Sequence, residues 1–308
     1  TAQRHPTHTR RRLSATDRGA VMAIDSAENA ATSRHRADGS GSTLPSPVRI
    51  GMSRVVPELK MFYRRPEQLV LTFSMPAVIC LLRGTILSAS LPGTETSTSI
   101  GAVIAASMLA YGILSTSFIN LGIGIAADRE TGALRRLRGT PATASSYFIG
   151  KIMLVAIASL AEVVILLAVG VLVFGLHLPT DLFGWFTLTW VFLLGVISCS
   201  LLGIFVSNLA SNALSAAVIT NGPAVGLQFV SGTYLPLMVL PGWMLVVGSI
   251  FPVKWMAQGF RSVLLPAQME AFEPAGSWEH WRIFLVLIAW SVGGLIACLS
   301  VFRWSDRS

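Results

Sequence analysis

Six stretches of this chain are each long and apolar enough to cross the hydrocarbon core of a bilayer, which takes roughly 20 apolar residues in a helix. They run approximately over 69–91, 100–126, 150–175, 183–206, 213–238 and 281–304. No water reaches the backbone in that core, so each run must satisfy its own amides as a helix. With only 12% charged residues and a mean hydropathy of +0.64, the chain is too apolar for an ordinary soluble protein. The expected class is an all-α membrane protein with six transmembrane helices.

Lys and Arg choose the orientation of such a bundle. The N-terminal arm, the segment between the second and third runs and the tail (Arg303, Arg307) are basic, whereas the loops at 92–99 and 176–182 contain neither Lys nor Arg. Both termini and the 127–151 segment are therefore expected in the cytoplasm, with the protein multi-pass in the cell membrane, a bacterial inner membrane. The net charge of +8 gathers in the first 65 residues and in 127–151, beside apolar runs. That placement suits anionic lipid headgroups and not nucleic acid. Cys80, Cys199 and Cys298 each lie within an apolar run and read as small buried hydrophobes.

Residues 1–47 are rich in Ser, Thr, Ala, Arg and Gly without apolar periodicity, which predicts a disordered cytoplasmic arm ahead of a membrane domain over 48–308. The segment 48–68 mixes Val55, Val56, Leu59 and Phe62 with Lys60, Arg64, Arg65 and Glu67, the pattern of an amphipathic helix lying in the inner interface. Within the apolar body, charge is concentrated in ADRETGALRRLRGTP, from Ala127 to Pro141. It predicts a short cytoplasmic helix. Asp128 would cap its start and Glu130 would sit at the positive end of its dipole. Leu134 and Leu137 share an apolar stripe, Arg135, Arg136 and Arg138 lie near the C-terminus, and Gly139 and Pro141 end it. The stretch 239–280 is apolar but interrupted by Pro252, Lys254 and Arg261, which predicts one or two short helices dipping back into the outer leaflet.

Two charges, Arg83 and Glu162, fall deep inside the spans. A central charge costs roughly 2.5 to 3.5 kcal/mol on insertion scales. Arg83 lies 14 residues past Leu69 and Glu162 lies 12 past Gly150, which puts both roughly 18 to 21 Å into the membrane from the same side. Either they face each other or a common polar cavity, or Arg83 snorkels outward alone. In the fifth run, Asn221 and Gln228 are seven apart and share a face, which Ser231 and Tyr234 continue, while Gly222 and Gly226 flank Pro223 in a small-xxx-small pair.

Chemistry for catalysis is missing. His5, His8, His35, His177 and His280 all fall outside the spans, and neither HExxH nor GxSxG occurs. The pattern Gly122-x-Gly124-x-x-Ala127 ends an apolar run and follows no strand, and Gly150-Lys151 lacks the flanking residues of a phosphate-binding loop. No set of metal ligands stands out. Any driven work requires nucleotide hydrolysis by another chain.

Three local motifs carry a resemblance. FYRRPEQLVLTFSMP (62–76) is similar to an interface helix leading into a first span, DRETGALRRLRGTP (128–141) to a coupling helix, and FVSGTYLPLMVLPGWM (229–244) with FPVKWMAQGFR to the end of a fifth span and its re-entrant outer helices. Together with six spans they make the chain resemble an ABC transporter permease of the type 2 exporter class, the multidrug and antibiotic efflux branch. That family more often has Glu at the place of Asp128 and Thr at the place of Ala133. The resemblance covers about 48 to the C-terminus. It implies a permease that pairs with a second copy or a sister permease and with two copies of an ABC ATPase subunit, which bind ATP and Mg in place of any cofactor in this chain. It implies coupling through Asp128, Arg129, Glu130, Thr131, Leu134, Arg135, Arg136 and Arg138, with Arg64, Arg65 and Glu67 in the interface helix. It also implies a substrate path along Asn221, Gln228, Phe229, Ser231 and Tyr234. The expected activity is export of a hydrophobic or amphiphilic small molecule by alternating access. Export of a lipid-linked glycan is the nearest rival, and a membrane-embedded lipid-modifying enzyme the rival of another class.

Overall fold

The second membrane run is the axis on which the others are assembled. In the computed structural model, which describes residues 52–53, 55–60, 64, 66–89, 96–138, 144–235 and 237–301, its apolar window is 83% buried, against 56% or less for every other span. All described residues belong to one unit of the chain, 47–308. The arm expected over 1–47, Arg65, Gly139 and Pro141 lie outside the described residues, as do the side chains of Glu67, Arg135, Leu137 and Arg138.

Among the described residues there is no strand. The helices are α1 (Pro66–Ala89), α2 (Thr96–Leu114), α3 (Leu121–Glu130), α4 (Ala133–Arg138), α5 (Ala144–Phe174), α6 (Leu182–Ser207), α7 (Ala213–Val230), α8 (Gly242–Ile250), α9 (Pro252–Leu264) and α10 (His280–Val301). Residues 55–60 are also helical. A π-helical turn, Ser115–Asn120, joins α2 to α3, so these three form one continuous second span. The other spans are α1, α5, α6, α7 and α10. Six helices are thus long and apolar enough to cross a membrane. Their outward faces are apolar too, as Leu172, Leu182, Leu214 and Leu299 are each more than 70% exposed. A water-soluble bundle does not leave such faces bare, and lipid or another apolar surface must cover them.

Packing around the axis is tight. α2 lies against α1, α5 and α9, and α3 against α6 and α7. The interior holds Met108, Leu109, Ile113, Ile125, Leu166, Val191, Met256, Phe260, Ile283 and Leu287, with Cys80 and Cys199 as small buried hydrophobes and Cys298 beside them. The widened π turn is where α6 comes closest, and glycine makes the approach possible. A Cβ at Gly203 would stand 2.8 Å from the Phe118 carbonyl oxygen and 3.0 Å from that of Ser117. Gly122, part of the apparent dinucleotide fingerprint, faces the same crossing, and a Cβ there would stand 3.2 Å from the Gly203 carbonyl oxygen. Overpacking of this kind costs about 1–3 kcal/mol. Gly203→Ala is expected to lower the thermal midpoint of the purified protein, whereas Gly124→Ala, whose Cβ meets nothing within 4 Å, leaves it unchanged. Equal midpoints for the two variants would contradict the close crossing.

Two boundaries differ from the sequence reading. The fifth run was expected to stay helical to Met238, yet α7 stops at Val230. Gly232 takes the left-handed conformation at φ 77°, and the amides of Ser231 and Tyr234 close the end by donating to the carbonyls of Leu227 and Gln228. Apolar residues after the cap hid this stop. The 127–138 segment was expected to be one helix capped by Asp128. Instead Asp128, Arg129 and Glu130 form the last turn of α3, and the chain breaks at Thr131–Gly132 before the short α4.

The stretch after α7 forms two short helices that meet at Phe251–Pro252, with proline at the first turn of α9, where its missing N–H costs nothing. α9 is buried on both sides. Met256 and Phe260 face the core, while Lys254, Gln258 and Arg261, spaced along the opposite stripe, are covered by the following loop. Lys254 donates to Ser249 Oγ at 2.7 Å and Gln258 to the Ser277 carbonyl at 3.2 Å. Burial pulls the Lys254 ammonium below the ordinary lysine range, opposed by the charges of Glu279 and Glu273.

Candidate functional site

Three consecutive charged residues at the end of the second span each take hold of a different neighbouring span. Successive residues of a helix point about 100° apart, so Asp128, Arg129 and Glu130 sweep most of a turn. Asp128 accepts a hydrogen bond from the Tyr147 hydroxyl at 2.7 Å and pairs with Lys151 Nζ at 3.0 Å, both on α5. The same ammonium reaches Glu58 of the 55–60 helix at 2.8 Å. One cation therefore joins two carboxylates from separate elements. It also offsets the unfavourable position of Asp128 at the negative end of its own helix dipole.

Arg129 turns to α6. Its guanidinium donates to the carbonyls of Ser207 at 2.9 Å and Ala210 at 3.4 Å and to Asn208 Oδ1 at 3.0 Å, so it caps carbonyls that the end of α6 leaves open. Glu130 turns to α7, where its carboxylate accepts from the Ala213 amide at 3.0 Å. Asn212 and Ser215 complete a reciprocal capping box at the same helix start. Glu130 does sit at the positive end of a helix dipole, as its residue type suggested. The helix is α7 and not its own.

Beyond these ties the segment offers a small exposed face. Thr131 and Arg136 are exposed, with the Thr131 hydroxyl donating back to the Ala127 carbonyl at 2.9 Å and Arg136 to the Thr131 carbonyl at 3.4 Å. Leu134, only 1% exposed, pins α4 to the core. The base of this knob is thus fastened to α5, α6 and α7 together. Sequence reading found the knob but missed Glu58, Tyr147, Lys151 and Asn208 as its fastenings. Lys151 alone carried a signal, as a lone cation at the start of an apolar run.

Arg83 and Glu162 do not pair. Arg83 on α1 donates to the Thr233 carbonyl at 2.9 Å and stacks over the Tyr234 ring at 4.7 Å. Glu162 on α5 is fully buried against α2 and accepts from Thr116 in the π turn, with Gly112 leaving room for its carboxyl group. Equal depth places two residues on one level but not on facing sides.

The residues expected along a path separate into two groups. Gln228 and Ser231 are 2% and 1% exposed, Ser231 Oγ bonding Thr233 Oγ1 at 2.8 Å, because α8 and α9 close over the end of α7. They do not line an open surface. Asn221, Gly222, Val225, Gly226 and Phe229 form an exposed stripe on α7, and no atom lies within 4 Å of a Cβ built at either glycine. Among the described residues, the close approach that the small-xxx-small pair allows is unused. Phe229 and Tyr234 meet edge to face at 5.2 Å beside Arg83. Among the described residues no cluster of His, Cys, Asp or Glu is placed to hold a metal. Of the interface residues, Arg64 is exposed, its amide donating to the Lys60 carbonyl at 3.1 Å.

The sequence model of a family described as ABC-2 type transporter matches residues 55–265, more than half of the chain and the whole stretch from the Glu58 contact through α9. No curated protein matches it.

Proposed function

Because this chain belongs to the ABC-2 type transporter family, and is therefore a membrane subunit of an ABC transporter, we propose that it is the permease of an exporter that moves a hydrophobic or amphiphilic small molecule outward. The observation that carries the reading is the three-way fastening at the end of α3. A knob that only decorated a loop would need no ties to α5, α6 and α7; a knob that receives a push needs all of them. The knob faces the cytoplasm on the distribution of Lys and Arg, with both termini on that side and 1–47 an arm ahead of a permease domain over 48–308. Two ABC ATPase subunits bind and hydrolyse ATP with Mg and close against Thr131, Arg136 and the other arginines of α4. The exposed α7 stripe with its open glycines supports pairing with a second permease copy, and the passage runs between the two.

Co-purification tests this. A nucleotide-hydrolysing subunit should come down with the full chain, and its hydrolysis should respond to amphiphilic compounds. Arg136→Glu is expected to weaken that association markedly while changing stability by no more than about 0.5 kcal/mol, since Arg136 is exposed and its side chain makes one long hydrogen bond among the described residues. Glu130→Arg is a poorer probe, because it also removes a cap from α7. Undiminished association in Arg136→Glu would remove the docking role from α4.

A further inference from the structure

Arg83, which lies toward the far end of the bundle, borders an open pocket. Arg83 sits six residues before the end of α1, about 9 Å by helical rise. The pocket, about 480 Å³, lies between α1 and the end of α7 and is otherwise apolar. Its walls include Ile79, Ile86, Phe229 and Leu235, with Tyr234 beneath the guanidinium. Among the described residues Arg83 makes no ion pair, and its one hydrogen bond is the donation to the Thr233 carbonyl. A guanidinium carries five N–H donors in a planar fork and keeps its proton. Among the described residues most of that fork therefore has no partner at the pocket, where a low dielectric strengthens its attraction for any anion it meets. Tyr234, held edge to face by Phe229 and 6.1 Å from Tyr111, supports the fork from one side.

We propose that this pocket binds an anionic amphiphile, Arg83 pairing with its carboxylate or phosphate and Ile79, Ile86, Phe229 and Leu235 receiving its apolar chain. The wall chemistry excludes a small hydrophilic anion, which has nothing to gain from Ile79 and Leu235, and a cationic amphiphile, which Arg83 repels. The inference deepens the exporter reading by giving the cargo a sign of charge, and it depends on that reading only for calling the occupant cargo. Every contact named here is made by residues of the permease, so binding is read without the ATPase.

The test uses the full chain in phosphatidylcholine nanodiscs, titrated with dodecanoate, dodecanol and dodecylammonium. Dodecanoate is expected to bind about tenfold tighter than the other two, the worth of a charge-assisted bidentate contact. Arg83→Gln abolishes the preference, Arg83→Lys keeps part of it because an ammonium lacks the fork, and Phe229→Ala weakens all three probes alike. Discs containing phosphatidylglycerol separate the sources. Competition with dodecanoate identifies an anionic lipid as the resident, and absence of competition identifies a free carboxylate. Equal binding of the three probes by the unaltered chain overturns the proposal, as does a preference that survives Arg83→Gln. Loss of ATPase association in the co-purification experiment would remove the exporter reading and leave the ranking of the probes untouched.

Discussion

Glu273→Ala is expected to cost about 3–5 kcal/mol of stability, among the largest effects of any single substitution in this protein. Arg261 on α9 and Glu273 in the following loop form a fork-to-fork pair, with Nε to Oε1 at 2.7 Å and Nη2 to Oε2 at 3.2 Å, and their side chains are 4% and 5% exposed. The third arm of the guanidinium donates to Ser107 Oγ on α2 at 3.0 Å. One buried network thus binds the polar stripe of α9 to both the axis of the bundle and the loop that covers it. Removing Glu273 leaves a guanidinium buried without its countercharge, and Lys254 nearby adds a second cation whose charge Glu273 had helped to balance. The penalty comes from stranding the charge and not from the intrinsic worth of the pair. Arg261→Met combined with Glu273→Leu should therefore be more stable than either single change, because the double variant removes both desolvation costs. Arg261→Lys should resemble the single losses, since an ammonium cannot supply the bidentate geometry. Unfolding in detergent, followed by temperature and by denaturant, measures all five. Additive losses in the double variant would contradict the account.

How much of this was readable in the chain itself follows from what each signal encodes. Apolar runs encode spans, and all six appear. Class and family were legible because length, hydropathy and the DRETGALRRLRGTP motif survive in one dimension. Boundaries failed where a residue's partner was distant. Asp128, Arg129 and Glu130 looked like the start of a solvated helix because charges usually end a span, yet each is satisfied by a group from another element, Arg129 by Asn208 79 residues away. Spacing tells which side of its own helix a residue occupies but not which neighbour stands there. That is why Arg83 and Glu162, matched in depth, turned to different helices, and why Gln228, on the same face as exposed Asn221, was covered by the outer helices. Glu273 carried no signal at all. Its role exists only because the loop folds back over α9.

The same reasoning predicts what happens when one fastening of the knob is cut. Lys151→Met is expected to cost about 2–3 kcal/mol, less than a fully buried pair because Asp128 keeps 30% of its side chain exposed. Without the ammonium, Glu58 and Asp128 face each other as like charges, the tie to the 55–60 helix is lost, and α3 keeps only the Tyr147 hydroxyl bond to α5. The exposed face of α4 is unchanged, so the ATPase subunit should still co-purify while its hydrolysis no longer responds to amphiphiles. Arg129→Gln, which releases α6, and Glu130→Gln, which weakens the cap on α7, should each loosen the response further without abolishing association. Asp128→Asn added to Lys151→Met separates charge from packing. It removes the repulsion and should recover stability, but it cannot restore the ion pair, so the response stays lost. If hydrolysis in the Lys151→Met protein still answers to amphiphiles as strongly as before, force does not pass through this clasp, and α4 drives the spans by some other contact.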